Sequence, residues 1–337
     1  MNSSSAPYLT DPEAISTQVK QLLEAEDKSI QSQSHPELVW YCVNDFVKMD
    51  IPPREYLLHP WFPRQGLSML YAARGVGKTY LAVLVAHIVA TGGSLLGWSA
   101  PKPIPVLYID GELPERDFQD RMLGIGKGLG VHPHNLKIVT PDHQHNGMPD
   151  LGTYRGQQVV DHLIDHLDVE LIILDSLSCL VRSGRENDAD GWQVIQDWLL
   201  RLRSRKKSVL LIHHAGKDGS QRGTSKREDI LDTSIELKRS SDYSPEDGAQ
   251  FELHFAKSRG FYGPGARPCK MTMIEKDGVI TWSGSDLDED TYSKVVSLAK
   301  EDLKQNEIAE IIGVDPSRVS RHIARARACG DLSPKRK

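Results

Sequence analysis

The stretch Ala72-Ala-Arg-Gly-Val-Gly-Lys-Thr79 constrains this chain more than any other eight residues. It follows a short apolar run, Leu67–Tyr71, and opens the apolar helical stretch Leu81–Ala90, so two glycines and a lysine occupy a strand-to-helix turn. Such a turn aims several backbone N–H groups and a helix N-terminus at one point, which suits a polyanion. Arg74, Gly75, Val76, Gly77, Lys78, Thr79 and Tyr80 are therefore the candidate nucleotide-binding residues. In that setting the Lys78 ammonium neutralises β- and γ-phosphates, and the Thr79 hydroxyl can serve Mg2+. The usual pattern opens on glycine, and here Ala72 stands in its place, which is tolerable only at negative φ.

The surrounding pattern sets the fold class. Apolar runs of strand length recur at Leu67–Tyr71, Pro105–Asp110, Leu171–Asp175 and Ser208–His213, separated by helical periodicities. Strands alternating with helices imply a parallel sheet covered on both faces. After Asp229 the runs Leu231–Leu237, Gln250–Ala256, Cys269–Glu275 and Val279–Trp282 follow one another closely, with a turn at Asp277-Gly278, and read as an antiparallel extension of that sheet. Residues 1–37 read as a flexible arm containing one short helix, Pro12–Glu26, and residues 38–283 as the main α/β domain. Its entry, Leu38–Gln65, is rich in aromatic residues and proline and reads as an extended segment laid over that domain. Residues 284–292 read as an acidic linker, and residues 293–337 as a separate helical unit.

Two carboxylates join the phosphate turn. Asp175 ends the apolar strand Leu171–Leu174, where an acid can hold the Mg2+ shell. Glu112 lies just past Val106–Asp110, a strand expected to neighbour the phosphate strand, from where it can polarise a water for in-line attack. A solvated turn glutamate is the plain alternative.

These ordered features, Gly-Val-Gly-Lys-Thr79, Tyr-Ile-Asp-Gly-Glu112, Leu-Asp175-Ser and Leu-Ile-His213-His214, resemble the RecA-like P-loop ATPases, and within them the RepA-type hexameric helicases of plasmids and phages. The resemblance spans Pro52 to Trp282. It implies a mostly parallel central sheet, ATP and Mg2+ as cofactors, Glu112 as the base that activates water, and His214 as the polar strand-end group that senses the γ-phosphate. It also implies that Lys217, Arg222 and Lys226, in the Gly/Ser-rich basic stretch Ala215–Arg227, follow single-stranded DNA through its phosphates. In the same family a Lys-x-Arg pair reaches the neighbouring subunit's γ-phosphate; Lys257 and Arg259 match it, which implies a homo-oligomeric ring, a hexamer in that family.

The C-terminal stretch Leu303–Ala328 reads as helix, turn and helix, with Ile308, Ile311 and Ile312 inward on the first helix and Val319, Ile323 and Ala326 inward on the second. Ser317 can cap the second helix, whose outward side carries Arg318, Ser320, Arg321, His322 and Arg325. The pattern resembles a helix-turn-helix, which implies duplex DNA contact through Arg318, Arg321 and Arg325. Charge agrees: residues 304–337 hold eight basic and four acidic side chains, within a chain of net charge −5.

Composition excludes other classes. At 39% hydrophobic and 26% charged residues over 337 positions, the chain is neither collagen-like nor wholly disordered. Its four cysteines, Cys42, Cys179, Cys269 and Cys329, are too scattered for a zinc site or a redox pair. The longest apolar stretch is short of a membrane span, and the N-terminus shows no secretory pattern, so a cytoplasmic protein with no membrane partner is expected. The leading expectation is a ring-forming, Mg-ATP-dependent DNA motor, a replicative helicase of a mobile element. An ATP-switched DNA-binding regulator and a small-molecule phosphotransferase use the same phosphate turn and stay open.

Overall fold

The computed structural model describes residues 38–183, 189–215, 225–240, 243–244, 246 and 248–333, with the side chains of 189, 190, 225 and 226 outside that set. The expected helix Pro12–Glu26 lies outside the described residues. The chain divides into two units at Pro53. In the first, the short helix α1 (Val43–Phe46) is surrounded by exposed apolar residues, among them Leu38, Val39 and Trp40.

The second unit is built on a mixed sheet. In chain order its strands are β1 (Tyr56–Leu58), β2 (Phe62–Pro63), β3 (Leu67–Ala72), β4 (Ser94–Leu95), β5 (Trp98–Ser99), β6 (Val106–Asp110) and β7 (Leu136–Val139), then β8 (Leu171–Asp175), β9 (Ser208–His214), β10 (Thr233–Arg239), β11 (Gln250–Ser258), β12 (Cys269–Lys276) and β13 (Val279–Asp286). Nine of them form one sheet in the order β13-β12-β11-β10-β3-β9-β8-β6-β7, while β1–β2 and β4–β5 are small hairpins. Helices α2 (Lys78–Thr91), α3 (Glu115–Leu129), α4 (Tyr154–Leu167), α5 (Leu177–Leu180) and α6 (Ala189–Ser204) connect the parallel part.

The period of two in each strand divides the core. Leu70, Val106, Tyr108, Ile173, Leu210 and Ile212 face α2 and α3, whereas Met69, Leu107, Ile172, Leu174, Val209 and Leu211 face α4 and α6. Because both faces are covered, these strands are apolar throughout, and α2 is buried from Leu81 to Ala90. Trp61 and Phe62 stack at 5.1 Å in the first of these cores, so the latter half of the aromatic entry segment is anchored to the domain.

Three expectations change, and one strand goes unpredicted. The strand bearing Asp110 does not neighbour the phosphate strand: β9 and β8 stand between β3 and β6. Thr233–Arg239 is parallel to β3 and antiparallel only to β11, because the chain arrives through a crossover rather than a hairpin. Edge strand β7 is half-exposed and too weakly apolar to stand out in the sequence. Residues 284–292 are occupied by the end of β13 and the start of α7 (Leu287–Lys300), whose N-cap is Asp286 and whose acids fill the first turn, where they complement the helix dipole. The hairpin at Asp277-Gly278 has φ of 53° and 69°, both positive as a primed turn requires.

Helices α7, α8 (Gln305–Ile312) and α9 (Pro316–Cys329) close around Val295, Ile308, Ala309, Val319 and Ile323. Ile311 is exposed rather than inward. The cap of α9 is Asp315, whose carboxylate accepts the Ser317 N–H at 2.8 Å, with Pro316 in the first turn; Ser317 is therefore not the cap.

Candidate active site

The phosphate turn leaves β3 at Ala72, whose φ is not positive, so alanine fits where glycine is usual. Gly77 has φ of 121°, and a Cβ there would lie 3.0 Å from the Ala249 Cβ and 3.1 Å from the Phe251 ring. Only glycine satisfies both the backbone and the close approach. Val76 turns its side chain into the core, leaving its backbone for a ligand. Gly75 contributes its carbonyl to Arg239, at 3.3 Å.

Lys78 is buried, and its ammonium donates to the carbonyls of Ala72 at 3.1 Å and Ala73 at 2.9 Å. These are the contacts an incoming phosphate would exchange. Burial lowers its pKa, opposed by Asp175 and Glu112. The wholly buried Asp175 is pushed up by desolvation and held by hydrogen bonds from Tyr108 Oη, at 2.7 Å, and from Thr79. Tyr108 shares the strand face of Asp110, two residues on, a period-two relation legible in the sequence but not used there.

Glu112, half exposed, accepts from Ser176 Oγ at 3.2 Å and lies 3.6 Å from His214 Nε2. Although β6 is two strands removed from the neighbour of β3, the pairing Asp110↔Asp175 brings the turn after β6 over the end of β8. Asp110 shapes that turn, its Oδ2 accepting the Leu113 N–H at 3.0 Å. Burial, then the nearby Asp175, raises Asp110 to about 7. His214 is pushed down by burial and then by Lys78.

A cleft of about 430 Å3 gathers these groups: Gly75, Gly77, Lys78, Thr79, Glu112, Asp175 and His214 all line it. Arg74 and Tyr80 line it too. Arg121, Met273 and Glu275 also reach it, from parts of the chain that no motif marks. For Mg2+, Thr79 and Asp175 are a hydroxyl and a carboxylate already within hydrogen-bond reach, which fits a cation that keeps most of its shell from water and phosphate. Among the described residues no cluster of three metal-ligating side chains exists.

Other expected residues stand apart. Lys257, near the end of β11, and Arg259, just past it, lie beside the start of β10, whereas the phosphate turn follows the far end of β3. Lys257 donates to the Glu228 carbonyl and Arg259 to the Asp229 carbonyl, so neither belongs to this chain's own cleft. Lys217 and Arg222 lie outside the described residues, as does the Lys226 side chain. In the three-helix unit Arg318 binds Asp288 at 3.2 Å, and Arg325 binds Glu289 at 2.7 Å with its guanidinium over Tyr292. His322 is buried against Tyr292 and Asp288 rather than outward. Of the three arginines, Arg321 is exposed and, among the described residues, makes no ion pair to α7. The four cysteines are free. No described helix is long and apolar enough to cross a membrane.

The family model described as AAA domain matches residues 34–220, more than half of the chain. No curated protein matches. Among solved structures, a KaiC-like protein from the hyperthermophilic archaeon Pyrococcus horikoshii OT3 aligns at 16% identity and a TM-score of 0.46, over 67% of this chain and 93% of that one. A strand order of β10-β3-β9-β8-β6, with the phosphate turn after β3, Glu112 just past β6 and Asp175 ending β8, is the RecA-like P-loop arrangement. By its family match and by that sheet, the chain belongs to the AAA domain family of P-loop ATPases.

Proposed function

We propose that the protein is a ring-forming, Mg-ATP-dependent DNA motor of the kind that serves replication of a plasmid, phage or other mobile element. The observation that carries this reading is the split at the end of β9. His214 faces Glu112 in the cleft, while His213 turns to the opposite face and accepts from Arg227 Nη1 at 2.6 Å. The basic stretch 215–226 runs between those two anchors, so a change at the γ-phosphate has a short path to both of its ends.

In this mechanism Lys78 and the backbone of Gly75–Thr79 hold the phosphates, and Thr79 and Asp175 would hold Mg2+, which would supply charge neutralisation to the phosphates. Glu112 takes a proton from water as its oxygen bonds to the γ-phosphorus and the bridging bond to the β-phosphate breaks. Arg259, assisted by Lys257, acts on a neighbouring subunit's site; their distance from their own cleft supports a role in trans. Lys217, Arg222 and Lys226 contact single-stranded DNA, and Arg321 leads the duplex contact, with Arg318 and Arg325 available only by exchanging Asp288 and Glu289.

One observation favours a second reading, an ATP-switched DNA-binding regulator. The helical unit follows β13 with no intervening linker, and β13 pairs with β12, which lines the nucleotide cleft. Steady-state ATP hydrolysis without DNA, with single strands and with duplex, alongside oligomer mass and forked-duplex unwinding, separates the readings. Single-strand stimulation by a ring that unwinds forks supports the motor. Duplex-only stimulation without unwinding supports the regulator, and a DNA-indifferent monomeric ATPase overturns both.

A further inference from the structure

Behind Asp175 stands a side chain that the phosphate chemistry does not use. In the strand run Val106-Leu-Tyr-Ile109 the Tyr108 hydroxyl is the one polar side-chain group. The pairing of β6 with β8 sets Tyr108 opposite Ile173 and Asp110 opposite Asp175. Tyr108 therefore lies one strand period back along the face of Asp175, and its hydroxyl crosses diagonally to donate to Asp175 Oδ2 at 2.7 Å.

The phenol is held firmly. Tyr108 is 0% exposed, and its ring centroid lies 5.2 Å from that of Phe118, in the first turn of α3. Val106, Ile173 and Phe118 belong to the same core, so the ring is enclosed by helix and sheet. Phenylalanine would fill this place without a polar group to satisfy, and what tyrosine adds is a fixed donor aimed at one carboxylate. Tyr108 does not line the cleft, so it acts on a ligand only through Asp175.

Asp175 needs such a donor. The last torsion of an aspartate has no sharp rotamer, so hydrogen bonds decide how its carboxylate is turned. Thr79 supplies one of them, from the start of α2, and is itself the hydroxyl placed for Mg2+. Tyr108 supplies the other from the rigid middle of β6.

We propose that Tyr108 is a positioning residue for the Mg-ATP site, its hydroxyl fixing the rotation of the Asp175 carboxylate in the orientation that serves Mg2+. The proposal rests on the reading of Thr79 and Asp175 as the Mg2+ residues and adds the group that aims one of them.

Calorimetric titration of the full chain with the non-hydrolysable analogue AMP-PNP, once with Mg2+ and once with EDTA, measures how far Mg2+ tightens nucleotide binding. Tyr108→Phe keeps the ring and loses only the hydroxyl. It should weaken binding with Mg2+ about 10-fold and leave binding in EDTA within about 2-fold of wild type. Asp175→Asn should lose the Mg2+ gain, and adding Tyr108→Phe to it should cost nothing more, because the hydroxyl acts through that carboxylate. Wild-type affinity of Tyr108→Phe in both buffers, an equal loss in both, or a further loss in the double variant overturns the positioning role. Failure of the underlying Mg2+ reading looks different: Asp175→Asn then keeps the full Mg2+ gain.

Discussion

His213 and His214 are consecutive at the end of β9 yet serve opposite faces of the sheet, His214 Nε2 lying 3.6 Å from Glu112 Oε2 and His213 Nε2 lying 2.6 Å from Arg227 Nη1. Strand alternation alone produces this. Leu210 and Ile212 belong to the core beside α2, and Val209 and Leu211 to the core beside α4 and α6, so the next two residues must diverge. Arg227 continues the second path, its guanidinium 5.4 Å from the Trp192 ring on α6.

Glu112→Gln keeps the shape of the turn but removes a proton acceptor. ATP affinity should stay within a few-fold of wild type while kcat falls roughly 10^2- to 10^4-fold. Lys78→Ala should instead abolish detectable nucleotide binding. Paired binding and turnover assays check both, and wild-type turnover by Glu112→Gln would remove the base assignment.

Arg259 sits at the end of the sheet remote from its own phosphate turn, which makes a mixing experiment decisive. Arg259→Ala and Glu112→Gln subunits, each inactive alone, should recover ATPase activity when mixed, because some interfaces then pair an intact Glu112 with an intact Arg259. No recovery in mixed assemblies of confirmed mass argues against action in trans.

Gly128→Ala should destabilise the domain more than Gly124→Ala. The first places a methyl group against the Ile280 backbone carbonyl, which moves only with its strand; the second meets the Ile280 side chain, which has other rotamers. A loss of about 1–3 kcal/mol is expected for Gly128→Ala. Urea unfolding of both variants measures the contrast, and equal losses would place the helix–strand contact elsewhere.

His87 is buried in α2, with Nδ1 2.9 Å from the Val83 carbonyl, and burial holds its pKa below the ordinary value. A depressed histidine pKa means the unfolded chain takes up the proton first. The contribution of neutral His87 is thus complete above about pH 6.5 and lost as pH falls through the lower folded pKa. His87→Gln, which retains a donor, should show a smaller fall in melting temperature between pH 7.5 and 5.5 than wild type. Parallel curves would exclude His87 as a source of acid sensitivity.

Arg321→Ala should weaken duplex DNA binding and its salt dependence without changing the thermal midpoint. Arg325→Ala removes an ion pair to Glu289 and a contact with Tyr292, so it should lower the midpoint of the helical unit. Fluorescence anisotropy and circular dichroism on the full chain separate the two effects; identical behaviour of both variants would show that α9 presents a different face.

Much of this molecule is legible along the chain because its signals are local. A glycine-lysine turn between a strand and a helix, alternating apolar runs and a primed-turn dipeptide each depend on neighbours within a few residues, and they locate β3, α2, β6, β8, β9 and the β12–β13 hairpin. Glu112 and Asp175 were legible for the same reason, as acids just past apolar strands. Strand order was not, since hydrogen bonding between strands leaves no mark on either sequence: β9 and β8 separate β3 from β6, and only the pairing Asp110↔Asp175 returns Glu112 to the phosphate turn. Nor could the chain reveal that Asp288 and Glu289 occupy Arg318 and Arg325, or that Arg121 and Glu275 share a cleft with Lys78. Those relations join residues 30 to nearly 200 positions apart, and they exist only through tertiary packing: α9 against α7 around the three-helix core in the first case, helices and strands around the central sheet in the second.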